Sequence, residues 1–261
     1  MHTPREWRLP EKPDPATVSR LRQELHLSEL AACCLVGRGI TAPDRADSFL
    51  SPSLKELHDP ALFTQMERAV DRIMQALERK ERILVHGDYD ADGVTSTALL
   101  LQFFDLVGAP VRWHIPNRLT EGFSFSPRVM TRVREERIGL IITVDNGINA
   151  LAEVAELTRL GCDVIVTDHH EPGPELPPAV AVIDPKVAGS GYPFAGLAGV
   201  GVAFKLAWAT ARRLSGTVRV KPAFRRFLYE AVQLVALGSV ADVVPLVDEN
   251  RTLVALGLQA M

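Results

Sequence analysis

Apolar residues recur along this chain with two different spacings, and the change between them divides the chain into regions. Up to about residue 75, the apolar positions have helical spacing or no regular spacing, and prolines interrupt them. From Ile83 onward, short apolar runs alternate with longer stretches of helical spacing. This alternation predicts an α/β fold, a mostly parallel sheet flanked by helices on both faces. After Ala198 the pattern is helical to the end of the sequence.

The same pattern predicts individual elements. Before residue 75, leucines at 21, 25, 30 and 35 indicate a small helical region, preceded by a proline-rich extended arm over residues 1–15. The predicted strands are 83–85, 111–115, 140–144, 164–166 and 180–183. The predicted helices are 66–77, 95–104, 127–137, 150–160, 204–214 and 224–237, and residues 253–258 would begin one more.

Composition and charge narrow the class of protein. The 261 residues are 47% hydrophobic and 23% charged, as in ordinary globular proteins. No apolar run approaches the roughly 20 residues that span a bilayer, so we expect no membrane association. Cys33, Cys34 and Cys162 are too few and too badly spaced for a disulfide framework or a zinc knuckle, which favours a cytoplasmic location. The net charge of −3 leaves a locally basic groove for nucleic acid possible.

An acidic cluster follows the first predicted strand. It reads His86-Gly87-Asp88-Tyr89-Asp90-Ala91-Asp92-Gly93. Three carboxylates at alternate positions repel one another when ionised, unless a cation lies between them. Oxygen ligands suit magnesium or manganese, and a nearby imidazole favours manganese. A calcium loop counted from Asp88 would need glutamate at the position of Leu99, so the calcium interpretation is rejected.

Three further segments carry possible ligands. Thr143-Val144-Asp145-Asn146-Gly147 and Asp168-His169-His170 both follow buried strands, where ligands of such sheets bind. Asp242 follows an apolar helix, where a lone aspartate is usually a helix cap. Together these residues can hold two cations that share a carboxylate. Such a pair activates water for in-line attack on phosphorus, which indicates phosphoester hydrolysis.

The ordered motifs resemble those of the DHH phosphoesterases, and most closely their branch of RecJ-type bacterial exonucleases. The motifs that carry the likeness are His86–Gly93, Ile115-Pro116-Asn117-Arg118, Val144–Gly147, Asp168-His169-His170 and the Asp242 segment. The resemblance implies a manganese- or magnesium-dependent nuclease of DNA repair and recombination. Such an enzyme degrades single-stranded DNA from 5′ to 3′ and releases 5′-mononucleotides. It also suggests a single-strand-binding protein or a helicase as a partner.

The resemblance also assigns roles to individual residues. It implies metal-ligand roles for Asp90, Asp92, Asp145, His169 and Asp242. Catalytic or supporting roles fall to His86 and Asp88 beside the metals, and to His170 at the scissile phosphate. The predicted substrate-binding residues are Asn117, Arg118, Asn146 and Lys186.

The likeness divides the chain into an accessory region over residues 1–75 and a DHH catalytic domain over 76–248. Residues 249–261 would begin a connector to a second domain. The sequence departs from the family at Glu121-Gly122-Phe123-Ser124, where relatives usually carry Glu-Gly-Tyr-Gly. The loss of that second glycine puts the shape of this loop in question.

Two other interpretations stay open at this level. One is a DHH phosphodiesterase that acts on short oligonucleotides or cyclic dinucleotides. The other is a weakly active or non-catalytic DNA-binding fragment, which retains the fold and the metal ligands without efficient turnover.

Overall fold

The computed structural model describes residues 11–122, 124–217 and 219–261. They form two compact units, residues 11–53 and the residues from 54 onward. Most of the predicted extended arm, residues 1–10, lies outside the described residues, as does Phe123 of the departing motif. The domain boundaries predicted at residues 75 and 248 stay predictions.

The first unit is a small helical cluster. Its helices are α1 (Pro15–Leu25), α2 (Glu29–Gly37) and α3 (Pro43–Leu50). Side chains cap the first two helices, because the Asp14 carboxylate accepts from the Thr17 backbone N–H at 2.9 Å and the Ser28 hydroxyl accepts from Ala31 at 3.2 Å. The unit has its own core, which includes Val18, Leu21, Ala32, Leu35 and Ala46. These helices confirm the helical character predicted from the leucine spacing.

The second unit is built on a five-stranded parallel sheet. The strands are β1 (Arg82–Gly87), β2 (Val111–His114), β3 (Ile138–Val144), β4 (Asp163–Thr167) and β5 (Ala181–Ile183). Their order in the sheet is β2-β1-β3-β4-β5, and every neighbouring pair is parallel. The predicted fold class is therefore confirmed, and all five carboxyl ends lie at one edge of the sheet.

Helices cover both faces of this sheet. They are α4 (Met66–Glu78), α5 (Ala91–Leu106), α6 (Pro127–Glu136), α7 (Leu151–Arg159), α8 (Gly199–Ser215), α9 (Pro222–Ala241) and α10 (Asp248–Ala260). Alternate residues of each strand face opposite sides, so Ile83 and Val85 pack in the core of α4, α5, α8 and α9, whereas Leu84 packs with α6 and α7. No helix in the described part of the chain is both long enough and apolar enough to cross a bilayer.

Helix α8 begins five residues before its predicted start. The sequence pattern placed that start at Phe204, and the two glycines before it, Gly199 and Gly201, are poor helix formers. In the structure, the backbone N–H groups of Gly199 and Val200 each donate to the Asp92 carboxylate at 2.8 Å. A tertiary contact thus caps this helix, and helix propensity alone does not predict it.

A buried ion pair holds helix α10 in place. The Lys205 ammonium, fully buried in α8, donates to the Glu249 carboxylate at 2.5 Å and to the His58 carbonyl at 2.7 Å. The hydroxyl of Tyr192 donates to the other Glu249 oxygen. Each charged atom is therefore paired, which a buried charge requires. The first turn of α10 is therefore fixed to α8.

Candidate metal centre

Acidic and imidazole side chains converge beyond the carboxyl ends of the strands. Asp88 and Asp92 follow β1, Asp145 follows β3, and His169 follows β4. All four are buried, with relative exposures of 4%, 1%, 1% and 7%. Parallel topology brings these separate segments to one edge, as predicted for ligands of such a sheet.

Seven residues at this edge form three overlapping groups of possible metal ligands, and within each group the ligand atoms lie within 4.8 Å of one another. Asp145 belongs to two of the groups, and so does His169. A carboxylate common to two groups is the arrangement that a pair of ions requires. The three groups are Asp145 with His169 and His170, Asp92 with His169 and Asp242, and Asp88 with Asp90 and Asp145.

The His169 imidazole lies among three of these carboxylates. Its Nε2 atom is 3.0 Å from Asp145 Oδ1, 3.6 Å from Asp242 Oδ2 and 3.7 Å from Asp92 Oδ2. Asp242 reaches the group from the C-terminal end of α9, where its backbone also caps the helix. The cap and the possible ligand are therefore the same residue.

Asp145 has the chemistry of a metal ligand. Both of its carboxylate oxygens are buried without a hydrogen-bond partner among the described residues. Its backbone adopts φ 61°, in the left-handed region that few non-glycine residues occupy. Buried acceptors normally have hydrogen-bond donors. The nearby His169 Nε2, 3.0 Å from Oδ1, is itself a possible metal ligand, so the two oxygens fit a cation that the imidazole would share.

The electrostatics of the cluster support the same conclusion. Burial raises the pKa of Asp92 to about 6. Burial, followed by repulsion from Asp92 and Asp90, raises the pKa of Asp145 to about 10. A raised pKa means that the ionised form is unstable here without a positive charge. A divalent cation would supply that charge.

Asp168 holds His170 at the rim of the cluster. Its Oδ1 accepts from the His169 and His170 backbone N–H groups at 2.7 and 3.2 Å, and from the His170 Nδ1 at 2.7 Å. Its Oδ2 accepts from the Ile148 N–H at 2.9 Å. The hydrogen bond to Asp168 raises the pKa of His170 to about 9. His170 therefore carries a positive charge at neutral pH, and its side chain is 45% exposed.

Five of the predicted site residues lie outside the three ligand groups, and two of these five, His86 and Asn146, are buried. The His86 ring is fully buried, stacked on Phe125 with ring centroids 4.5 Å apart, and beside His114 at 5.4 Å. Burial lowers the pKa of His86 to about 3, so the ring is neutral. The Asn146 amide donates to the carbonyls of His86 and Val144 at 3.2 and 2.9 Å, and so joins the ends of β1 and β3.

The remaining predicted residues are exposed or half-buried. The Arg118 guanidinium lies 5.3 Å from the centre of the Tyr89 ring, next to Asp88 in sequence. The carboxamide oxygen of Asn117 accepts from the Leu119 N–H at 3.0 Å. The Lys186 ammonium lies 3.2 Å from a Glu171 carboxylate oxygen.

Sequence reasoning missed three parts of this edge. One is the N-terminus of α8, whose N–H groups bind Asp92. Another is Asp168, whose motif was recognised without a role for the aspartate itself. The third is Asp184, which follows β5, is 1% exposed, and has one carboxylate oxygen without a partner among the described residues. Its position after a strand was the signal that could have identified it, as it did for Asp145.

The loop with the departing motif keeps a glycine-like backbone. Ser124 adopts φ 65°, a conformation that favours glycine. Serine therefore stands at the position of the second glycine in a backbone conformation that glycine adopts readily.

Several comparisons identify the family. The chain is 43% identical over 255 residues to the single-stranded-DNA-specific exonuclease RecJ of Bacillus subtilis. This alignment covers 98% of this chain and 31% of that protein. It is 37% identical over 258 residues to the single-stranded-DNA-specific exonuclease RecJ of Thermus thermophilus. That alignment covers 97% of this chain and 35% of the relative. The chain thus spans about a third of the length of these curated relatives.

Solved structures agree with these relatives. The crystal structure of RecJ from Thermus thermophilus in complex with Mn²⁺ matches with a TM-score of 0.76 and 35% identity, over 95% of this chain and 34% of that chain. A crystal structure of exonuclease RecJ bound to manganese matches with a TM-score of 0.66 and 40% identity, over 79% of this chain and 49% of that chain. The family model described as "DHH family, N-terminal domain" matches residues 82–238, so the chain belongs to the DHH family.

Proposed function

We propose that this chain is the catalytic part of a metal-dependent phosphodiesterase that degrades single-stranded DNA from its 5′ end and releases 5′-mononucleotides. The observation that carries the proposal is the Asp145 carboxylate, which is buried, belongs to two groups of possible ligands, and has no hydrogen bond at either oxygen within the part of the chain that the structure describes. The relatives that are named single-stranded-DNA-specific exonucleases support the choice of substrate.

The proposed cofactor is a pair of manganese or magnesium ions. Asp90, Asp92, Asp145, His169 and Asp242 would hold them, with Asp145 shared between the two ions. When bound, such ions acidify water and neutralise charge on a phosphoryl group. The structures of relatives with manganese support this choice of metal, and so do the mixed oxygen and nitrogen ligands.

The remaining residues are proposed to orient the substrate and to handle protons. His170 is held by Asp168 with its charge facing the cluster, and it would donate a hydrogen bond to the scissile phosphate or to the leaving oxygen. Asp88 would complete one ligand group, and His86 would support it from within the core. Arg118 would bind a phosphate, with Asn117, Asn146 and Lys186 as further substrate contacts.

The cellular setting is also a proposal. A role in DNA repair and recombination, with a single-strand-binding protein or a helicase as partner, rests on the resemblance to RecJ-type enzymes. Free thiols at Cys33, Cys34 and Cys162 support a cytoplasmic location, since reducing compartments keep cysteines unpaired.

Hydrolysis of labelled oligonucleotides tests the proposal. With Mn²⁺, we expect a single-stranded oligonucleotide labelled at its 5′ end to release labelled mononucleotide, whereas a duplex of the same sequence is spared. Asp145→Asn should abolish release, because the shared carboxylate is lost. Asp105→Asn, an exposed position on α5, is the matched control and should keep full activity. Hydrolysis confined to dinucleotides or cyclic dinucleotides would contradict the exonuclease assignment, and release by Asp145→Asn would contradict the site.

A further inference from the structure

A groove of about 430 Å³ runs beside the outermost strand of the sheet. It lies between β2 and α6, away from the seven residues of the metal cluster. The polar residues that line it are Arg112, His114, Asn117, Glu121, Arg128 and Arg132. Three arginines against one glutamate make the lining cationic.

Two of these arginines are available to a ligand. The Arg128 side chain is 71% exposed, and its nearest acid is Glu121 at 3.7 Å. Arg112 is exposed, and its one hydrogen bond among the described residues is a 3.4 Å contact with its neighbour's carbonyl, at Val111. Arg132 differs, since it donates to the Glu136 carboxylate at 2.7 Å and to the Trp113 carbonyl at 3.0 Å.

The one acidic residue that lines the groove, Glu121, already contacts other side chains. Glu121 accepts from the Ser126 hydroxyl at 2.7 Å, and its Oε2 lies 3.0 Å from the His114 Nε2. The hydrogen bond from Ser126 is the main reason that the pKa of Glu121 lies below its ordinary value. Its charge therefore stabilises the loop, and Arg112 and Arg128 remain the cations that can turn to a ligand.

A short series of neighbouring residues links the groove to the metal cluster. Asn117 lines it, and the next residue, Arg118, lies over the Tyr89 ring. Tyr89 directly follows Asp88, a member of one ligand group. Positive groups thus extend from the cluster to the groove, as in surfaces that follow a single-stranded backbone.

We propose that this groove binds phosphates of single-stranded DNA next to the nucleotide at the metal cluster, with Arg112 and Arg128 as the contacts. The inference rests on the proposed function, because it extends the same substrate beyond the cluster. The contacts are to phosphate and not to bases. Trp113 also lines the groove, but Arg112 pairs with Leu84 in the sheet and Trp113 pairs with Val85, so the two side chains leave the strand on opposite faces. Binding is therefore independent of base sequence.

Salt-dependent binding of an oligonucleotide tests the groove. We compare the chain with its Arg112→Gln/Arg128→Gln variant, by fluorescence anisotropy of a labelled single strand in metal-free buffer, where no hydrolysis occurs. The logarithm of the binding constant falls with the logarithm of the salt concentration, by a slope of roughly 0.7 for each phosphate contact on single strands. Losing two contacts therefore makes this slope shallower by about 1.4. We expect this change, with a loss of about tenfold or more in affinity at low salt.

Two further variants control for net charge and for folding. Arg134→Gln removes one charge from the same helix outside the groove, at a side chain that is 62% exposed. It should keep the parental slope. Arg112→Lys/Arg128→Lys restores the charges and should restore most of the affinity. An unchanged slope in the double glutamine variant would overturn the proposal, and so would an equal loss in Arg134→Gln.

A second assay separates the test of the groove from the test of the proposed function. The parent chain is assayed separately for Mn²⁺-dependent hydrolysis of bis(p-nitrophenyl) phosphate, a small diester that cannot extend into the groove. Hydrolysis of this diester without binding of the oligonucleotide would overturn the groove alone. Binding that depends on Arg112 and Arg128, without any hydrolysis, would contradict the proposed function and leave the groove supported.

Discussion

Two features of Asp145 each destabilise the folded state, and they rarely occur in the same residue. Its carboxylate is buried without a hydrogen bond among the described residues, with the His169 Nε2 3.0 Å from one oxygen, and its backbone lies in the left-handed region at φ 61°. Asp92 lies close enough to raise its pKa further. Such a residue is retained where a ligand compensates for the cost, and a divalent cation is the ligand that fits two bare oxygens.

At the residue scale, we predict that Mn²⁺ binding releases protons. The raised pKa of Asp145, about 10, leaves its carboxyl protonated at pH 7 without metal, and binding requires the ionised form. Calorimetry at pH 7 in two buffers of different ionisation enthalpy should show at least about one proton released per chain. Asp145→Asn has no such proton to lose. Identical heats in both buffers for the parent chain would contradict the prediction.

A second prediction at this scale concerns pH. The folded pKa of Asp92 lies above its ordinary value of 3.8, at about 6. Its ionisation therefore destabilises the metal-free fold as pH rises from about 4 through about 6. A bound cation reverses that effect, so the rise in Tm with excess Mn²⁺ should be larger at pH 7 than at pH 5. Thermal melts with and without Mn²⁺ measure this difference, and a larger rise at pH 5 would refute it.

How well the sequence predicted single residues depended on where each one lies. Asp88, Asp92, Asp145 and His169 follow strands, and parallel topology brings strand ends together, so their proximity could be predicted. Asp242 could be placed only by resemblance, because nothing local indicates that the end of α9 lies beside His169. The hydrogen bonds of Asp168 likewise depend on three-dimensional geometry that spacing does not determine.

At the element scale, helices α8 and α9 contact the cluster closely through glycines. A Cβ added at Gly199 would lie 2.7 Å from Asp145 Oδ1, and one added at Gly238 would lie 2.8 Å from Asp92 Oδ1. Both distances are shorter than ordinary contacts. The predicted helix began at Phe204 and left Gly199 outside it, whereas close packing against the cluster is what requires glycine there.

We predict that Gly199→Ala weakens the site. The added methyl group would displace the Asp145 carboxylate, at a cost of about 1–3 kcal/mol in the free energy of unfolding, with weaker Mn²⁺ binding. Gly37→Ala is the matched control, since it lies at the end of α2 with no atom near the added Cβ. It should change stability by less than about 1 kcal/mol. Denaturant unfolding and Mn²⁺ titration of both variants measure the effects, and equal behaviour would count against the close contact.

At the scale of the whole molecule, the described residues form two units with separate cores. The core of residues 11–53 contains Leu21 and Leu35, and no described residue before 54 belongs to the two cores around the sheet. The sequence pattern predicted a change near residue 75, where the strands begin. Helix α4 lies before the first strand, yet it packs against α8 in the second unit, because its apolar residues, including Val70 and Ile73, are buried in a core of the sheet.

This separation predicts the effect of a truncation. A chain of residues 54–261 keeps all seven residues of the ligand groups and both cores around the sheet. It should fold and retain a Mn²⁺-dependent rise in stability, of about 2.7 kcal/mol when free metal is about 100 times its Kd. Circular dichroism and thermal melts of the truncated chain provide the measurement. A truncated chain that folds but no longer responds to Mn²⁺ would show that the first unit supports the site.

The central claim is that one buried carboxylate serves two metal ions. Anomalous diffraction from a Mn²⁺-soaked crystal of this chain tests it most directly, because the signal locates each ion without reference to any assay. We predict two manganese peaks about 3.5–4 Å apart, with Asp145 between them and Asp92 and His169 within ligand distance. A single peak that does not touch Asp145, or no peak at this edge of the sheet, would contradict it.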